Sequence, residues 1–431
     1  MALTGRTGLL ALLGTIVVLF APRPGLAVLV IEGLLLLAVV LDLCLAGSVR
    51  ALRFTREGER LVRLGDSVTV DLIVANPGRR RVRGLLRDAW PPSAHPAPRL
   101  HPVDLPAGER RRVRTVLTPS RRGDREAVRV TVRSLGPLGL AARQGTHAVP
   151  WTVRVLPPFH SRRHLGAKLA KLRELQGSHP ALIRGQGTEF DSLREYVIGD
   201  DIRSIDWRAT ARRSDVVVRT WRPERDRRVL IVLDTGRTSA ARVGDIPRLD
   251  SAMDAALLLA ALAARAGDRV DLLAYDRQVR TQVSGESRTT LLPALVNAMA
   301  PIEASLVEAD APGMTAAILA RARRRCLLVL LTDLNPPALE EGLLTVLPEL
   351  TARHLVLLAA VADPRIAELA AGRGGAEAVY DAASAERALA DRQAITATLA
   401  RRGVQVVDAP PETIAPALAD AYLALKAAGR L

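Results

Sequence analysis

The sequence predicts a three-part chain: a membrane helical hairpin, then a β-sandwich, then a doubly wound α/β domain. Three observations carry this. Two apolar runs flank a proline-containing turn within the first 46 residues. Period-two alternation of apolar and polar residues follows, as far as about residue 157. From Arg228 onward, Val/Leu/Ile-rich runs alternate with helical patterns. A length of 431 residues accommodates several domains, and 48% apolar residues supply their cores. The divisions fall at 1–50, 51–157, 158–227 and 228–431.

The hairpin comes first. "TGLLALLGTIVVLFA" (Thr7–Ala21) and "LAVLVIEGLLLLAVVLDLCLA" (Leu26–Ala46) are separated by "PRPG". A bilayer core takes about 20 helical residues, so the second run spans it and the first is slightly short unless Arg6 snorkels. Pro22 and Pro24 stop the helices where a tight turn needs it. Arg23 is the only basic residue of the loop, whereas Arg50, Arg53 and Arg56 follow the second span, which places both ends in the cytosol. A signal peptide ending at "GLA" is the competing reading, opposed by prolines in the cleavage region and by the second apolar run. Glu32 and Asp42 interrupt that run, either as an intramembrane polar site or by lying near its ends, where headgroups reach them.

The net charge is +16, yet only three of the 61 basic residues are lysines and aromatics make up 3%. Stacking platforms for nucleic acid are therefore scarce, and no nucleic-acid partner is expected. A basic surface facing anionic lipid is the better match. Cys44 and Cys326 lie far apart, which gives no disulfide framework and no cysteine metal site.

In the second part, "SVTVDLIVAN", "RRRVRTVLTP" and "EAVRVTVRSL" alternate as half-buried strands do, with turn signals at "NPG", "PAGE", "RRGD" and "GPLG". Short strands at this spacing predict a sandwich of immunoglobulin type, with Trp90 and Trp151 as core anchors or edge covers. Next, "SRRHLGAKLAKLRELQGSH" carries Leu165, Leu169 and Leu172 on one helical face. That face either packs on a neighbouring domain or lies on a membrane.

The last part reads as strands "RVLIVLD", "RVDLLAYD", "RCLLVLLTDL", "HLVLLAAVAD" and "VQVVDA" with helices between them, and "VRTQVS" as an antiparallel edge. Such sheets bind ligands at the carboxyl ends of their strands. Asp234 and Asp333 stand at the two best strand ends. Neither a dinucleotide-binding glycine fingerprint nor a P-loop is present.

The spacing of Asp234-Thr235-Gly236-Arg237-Thr238 and the later Asp333 resembles the von Willebrand factor A domain. That resemblance implies a magnesium ion held by Asp234, Thr238 and Asp333, with a partner's carboxylate completing its shell. A hard cation favours such oxygen ligands. Gly236 stands where the family has a serine ligand, Arg237 between the ligands opposes a cation, and Thr315 or Asp310 is the candidate for the second-loop ligand. The alternative is that these carboxylates cap helix starts on a retained fold.

The stretch "GTEFDSLREYVIGDDIRSIDWRATARR" (Gly187–Arg213) packs five arginines and six carboxylates into 27 residues. It holds Glu189, Phe190, Leu193, Arg194, Tyr196, Gly199, Asp200, Arg203, Ile205, Asp206, Trp207, Ala211 and Arg212 in a pattern that closely resembles the domain of unknown function 58 family. The resemblance extends over the whole chain. It implies a bacterial inner-membrane protein with cytoplasmic domains, working with a MoxR-type AAA+ ATPase on client proteins. The expected role is a non-enzymatic adaptor or assembly factor, and the runner-up is a metal-dependent hydrolase using Asp234 and Asp333. No nucleophile paired with a base is identifiable in the charged stretch. Glu189, Arg194, Tyr196, Asp200, Arg203, Asp206, Trp207 and Arg212 are therefore expected to form an ion-paired clasp between domains or a docking surface for another protein. "IGDD" reads as a turn, and "DIRSIDW" as the start of a short helix capped by Asp200 or Asp201.

Overall fold

The computed structural model describes residues 1–177, 189–197, 200–212, 215–222 and 227–431. The chain divides into two units, Met1–Leu156 and Pro157–Leu431. The basic segment after residue 157 therefore belongs with the second unit.

The first unit opens with two apolar helices, α1 (Gly5–Leu19) and α2 (Pro24–Leu45). Pro24 occupies the first turn of α2, where its missing N–H costs nothing. Of the two, α2 is long and apolar enough to cross a membrane, whereas α1 has 15 residues. The helices pack against each other closely at Gly14, where an added Cβ would lie 2.7 Å from Ile31 Cγ2. The outer faces expose Leu9, Leu12, Leu29, Leu34 and Leu37.

Both ends of this hairpin are fastened to the sheet that follows. The strands are β1 (Arg53–Gly58), β2 (Val68–Ala75), β3 (Val82–Ala89), β4 (His101–Leu105), β5 (Arg110–Leu117), β6 (Arg129–Leu135) and β7 (Ala141–His147). One antiparallel sheet runs β7-β6-β3-β4, and Ala2–Leu3 add to its edge in register with Ala142 and Ala141. A second sheet runs β1-β2-β5, extended by Pro96–Ala97. Alternation puts every second residue of β2 inside: Val68, Val70, Leu72 and Val74. Leu72, Val74 and Val113 of one sheet share a core with Val82, Leu86, Val103, Leu105, Val130 and Val132 of the other, so the two sheets pack face to face. Trp90 is 6% exposed in a second apolar cluster, which the half-buried Trp151 borders.

Two polar features of this unit lie beyond what local sequence pattern shows. The Arg56 side chain is fully buried and pairs with Asp88, which also accepts from Trp90 Nε1 at 3.0 Å, and its guanidinium lies 5.0 Å from the Trp90 ring centroid. Burial pulls the Arg56 pKa down while Asp88 opposes the shift. Asp42, in turn, lies near the end of α2, as one of its two sequence readings has it, but it is covered by protein rather than open to headgroups. It is buried at the end of α2 and accepts from the backbone N–H groups of Leu138 (2.7 Å), Leu140 (2.7 Å) and Ala141 (2.8 Å). Gly136 permits the approach, since a Cβ there would meet the Asp42 carboxylate at 2.2 Å.

The second unit begins with α3 (Arg162–Gly177). It packs through Leu172 onto two later helices of the same unit, so the packing alternative holds for its apolar face. A hairpin of β8 (Glu189–Glu195) and β9 (Val217–Arg222) follows, antiparallel and with a bulge after Phe190. The chain then runs β10 (Arg228–Asp234), α4 (Arg248–Arg265), β11 (Arg269–Tyr275), β12 (Val279–Val283), α5 (Ala311–Arg321), β13 (Leu327–Leu331), α6 (Leu344–Thr351), β14 (Leu355–Val361), α7 (Ala376–Arg401), β15 (Gln405–Ala409) and α8 (Ile414–Ala427). The sheet order is β12-β11-β10-β13-β14-β15, parallel throughout except for the antiparallel edge β12. One sheet face packs on α5, α6 and α7 through Leu230, Leu328, Ile318, Leu347 and Leu399. The other is covered by α4 and α8, which contact the strands and each other. The central strands are buried on both faces, which explains their unbroken apolar runs.

Candidate functional site

Strand order reverses between β10 and β13, so their loops diverge and leave a crevice at the carboxyl edge. Leu233 is in register with Leu331, which sets Asp234 beside Thr332. Asp234 is the pivot of this rim. Its Oδ1 accepts from Gly236 N–H at 2.8 Å. Its Oδ2 accepts from Thr332 Oγ1 at 2.7 Å and Thr238 Oγ1 at 3.2 Å. Asp333 faces two guanidinium groups: Arg248 Nη1 at 2.6 Å and Arg392 Nη1 at 3.1 Å. Arg392 also grips Asp408 with Nε at 2.6 Å and Nη2 at 2.7 Å. Thr238, Ser239, Arg248, Thr332 and Asp333 line a cleft of about 10 Å³, room for roughly one water molecule.

The structure thus brings together Asp234, Thr238 and Asp333 on one rim, but with donors already in place. A divalent ion needs unshared oxygen lone pairs. Here Asp234 accepts three hydrogen bonds, Gly236 offers no hydroxyl, and two arginines face Asp333. A Cβ at Gly236 would lie 3.1 Å from both Asp234 Oδ1 and Val307 O, leaving a serine little room. No group of three His, Cys, Asp or Glu side chains able to hold a metal occurs among the described residues. This donor set does not fit a magnesium ion. Of the second-loop candidates, Asp310 caps α5 by accepting from Gly313 N–H at 3.0 Å. The Thr315 hydroxyl is buried without a partner among the described residues. Asp234 and Asp310 do meet the helix-start alternative in part, each accepting from a backbone N–H just downstream.

Burial pushes the Asp234 pKa up, and its hydrogen bonds only partly offset this. Burial also disfavours the Arg392 charge, but Asp408 and Asp333 outweigh it and hold the guanidinium above its ordinary value. A stability difference follows for Asp234→Asn, whose amide keeps the shape without the charge. Below the ordinary Asp value of 3.8, both folded and unfolded wild type are protonated. As pH rises, the unfolded chain ionises first, so wild-type stability should fall relative to Asp234→Asn until the folded carboxyl also ionises. Urea unfolding of both proteins between pH 3.5 and about 7 reads this directly; parallel curves would contradict it.

Residues not singled out from sequence complete the rim. Thr332 holds Asp234, Arg248 and Arg392 hold Asp333, and Asp408 in turn holds Arg392. Asp276 closes β11 as Asp234 closes β10, accepting from Ser305 Oγ at 3.0 Å and Thr235 Oγ1 at 3.4 Å. The signal for Asp276 was present, since "RVDLLAYD" ends on an aspartate just as "RVLIVLD" does.

The charged stretch holds β8 and runs on into the connection to β9. Asp200 pairs with Arg194 at 2.6 Å and accepts from Val197 N–H at 3.0 Å. Asp201 caps a 3₁₀ turn, Ile202–Ser204, by accepting from Arg203 N–H at 3.0 Å. Asp206 caps the short helix Trp207–Thr210, accepting from Arg208 and Ala209 N–H, both at 3.0 Å, and pairs with Arg219 at 2.8 Å. The Ala209 N–H first, then the Arg219 guanidinium, hold its carboxyl below the usual range. Asp201 is thus the predicted cap, and Asp206 adds a second. The Arg194–Asp200 pair closes within the stretch, and the Asp206–Arg219 pair ties the stretch to β9. Tyr196 is half-buried and its N–H donates to Val216 O at 2.8 Å. Arg203 and Arg212 are exposed. Trp207 and Ile202 are each 67% exposed, and Val197 is 58% exposed. Glu189 lies in β8 opposite Arg222; its side chain is outside the described residues, as is Gly199.

An apolar helical pair, two facing antiparallel sheets and a largely parallel α/β sheet, with a charged hairpin ahead of it, define the chain. Residues 192–406 match the family described as "Protein of unknown function DUF58", so the chain carries a DUF58 domain. "Uncharacterized protein Rv1480" of Mycobacterium tuberculosis and "Uncharacterized protein Mb1516" of Mycobacterium bovis are each 29% identical over 197 residues. The match takes in 45% of this chain and 61% of each relative, so the chain spans about three fifths of their length. Among solved structures, the CARDB domain of the PF1109 protein from Pyrococcus furiosus aligns at 16% identity and a TM-score of 0.18. That alignment covers 24% of this chain and 86% of that one.

Proposed function

We propose that this chain is a membrane-anchored, non-enzymatic adaptor that presents its charged hairpin to protein partners, among them a MoxR-type AAA+ ATPase. One observation carries the reading: Val197, Ile202 and Trp207 are held exposed on a connection stiffened by capping aspartates and two ion pairs, with Arg203, Arg208 and Arg212 around them. Exposed aromatics beside arginine, held in place before binding, are what association energetics favour. The fold of the second unit supports a von Willebrand factor A-type assignment through its strand order and antiparallel edge. The first unit supports a sandwich of immunoglobulin type. The rim supports a retained scaffold in which arginines stand where a metal would be. The arginines past α2 support cytoplasmic placement of both units, with α1 and α2 forming a two-span anchor.

The test is direct binding of the purified full chain, in neutral detergent, to a MoxR-type ATPase from the same cells. Trp207→Ala is expected to weaken association by about tenfold or more, a loss of at least about 1.4 kcal/mol. Arg203→Glu should weaken it further, and thermal stability should hardly move. A drop in stability with unchanged binding would make the stretch an internal clasp instead.

A further inference from the structure

We infer that the first unit carries a binding pocket for the phosphate of an anionic glycerophospholipid, seated where α2 leaves the bilayer. This rests on the membrane-anchored reading above. Ala46, Ser48, Gly78, Arg79, Arg80 and Arg143 line a pocket of about 240 Å³. Ala46 is the residue that ends α2, and Ser48 lies two beyond it. A helix of 22 residues rises about 33 Å, just over a hydrocarbon core of about 30 Å, so this pocket opens at headgroup level.

The three guanidinium groups are set for an anion. Arg143 Nε donates to Leu43 O at 2.8 Å and Arg80 Nη1 donates to Cys44 O. These bonds satisfy carbonyls at the helix end and fix two arginines at the pocket while leaving their other N–H groups for a ligand. Among the described residues, Arg79 has no bonded partner and no carboxylate pairs with any of the three. Their neighbour Arg81 is by contrast neutralised by Asp104. The loop that carries Arg79 and Arg80 is fixed in advance. The buried Asn76 donates through Nδ2 to Arg80 O at 2.8 Å and to Leu105 O and Pro106 O, both at 3.1 Å, and accepts from Gly78 N–H at 3.1 Å. Unpaired arginines on a pre-set loop, beside a membrane helix, match a phosphodiester anion in charge and in hydrogen-bond geometry.

The test uses the full chain in neutral detergent, titrated with short-chain phosphatidylglycerol, short-chain phosphatidylcholine and inorganic phosphate. Saturable binding of phosphatidylglycerol is expected, tighter than for the other two. Arg79→Gln/Arg143→Gln should weaken it on the order of twentyfold. The charge-matched pair Arg365→Gln/Arg387→Gln, in the second unit, should leave it unchanged. Equal weakening by both pairs would reduce the effect to net charge and overturn the pocket. Inorganic phosphate binding as tightly as the lipid would overturn the lipid assignment. Flotation with vesicles of phosphatidylcholine alone checks anchoring separately: a chain that fails to float sinks the anchor reading, whereas loss of lipid binding in a chain that floats sinks the pocket.

Discussion

Replacing Asp88 by Ala is expected to lower the stability of the first unit by about 3–5 kcal/mol, because it strands a charge with no route to water. Arg56 has no exposed side-chain surface, Asp88 is the only carboxylate paired with it among the described residues, and two of its guanidinium nitrogens already lack a partner. The Trp90 indole N–H would lose its acceptor as well. For a unit of this size, such a loss moves the melting temperature by roughly 10 °C, visible by calorimetry on the detergent-solubilised chain. Removing both charges, as in Arg56→Met/Asp88→Leu, should recover the part of the loss that comes from the stranded charge, while the Trp90 indole N–H still lacks its acceptor. If Asp88→Ala melts within about 2 °C of wild type, the pair is not the buried linchpin described above.

The second large effect is expected at Asp42. Its carboxylate is the acceptor for three backbone N–H groups in the turn between β6 and β7, and Ala offers none. Each buried donor left without a partner costs about 1–3 kcal/mol. Asp42→Ala should therefore open this turn and detach it from α2. Hydrogen exchange at Leu138, Leu140 and Ala141 should accelerate on the order of a hundredfold, while amides of β10 and β13 keep their wild-type rates. Unchanged exchange at those three positions would rule out the carboxylate as what fastens the helix.

These two residues also show where sequence reading works and where it stops. The hairpin, the alternating strands and the α/β sheet were legible because each rests on a local pattern: a long, mainly apolar run in α2, every second residue in β2, buried strands such as "RVLIVLD". The antiparallel edge formed by "VRTQVS" and the two strand-end aspartates followed from the same patterns. Asp42 was noticed as an anomaly, but its partners lie 96 to 99 residues away and no period links them. The burial of Arg56 was not legible either, because its partner lies 32 residues on and no local pattern links the two. At the rim, Arg248 comes from the start of α4 and Arg392 from the middle of α7. Ordinary surface-type arginines in a chain this rich in them give no signal that they will meet at Asp333. The charged stretch hid a strand pair for a related reason. Its capping aspartates and arginines answer to turns and helix starts between the strands, so no single period runs through it.

The fastening of the first unit has a mechanical consequence. α1 is tied to the sheet through Ala2 and Leu3 and through the Thr4 and Thr7 hydroxyls, which donate to the carbonyls of Gly139 and Leu140. α2 is tied by Asp42, and only a few residues separate its end from β1. Both legs of the hairpin are thus braced to one rigid block, with no slack tether between them. A load applied to that block reaches both helices together rather than through a flexible linker.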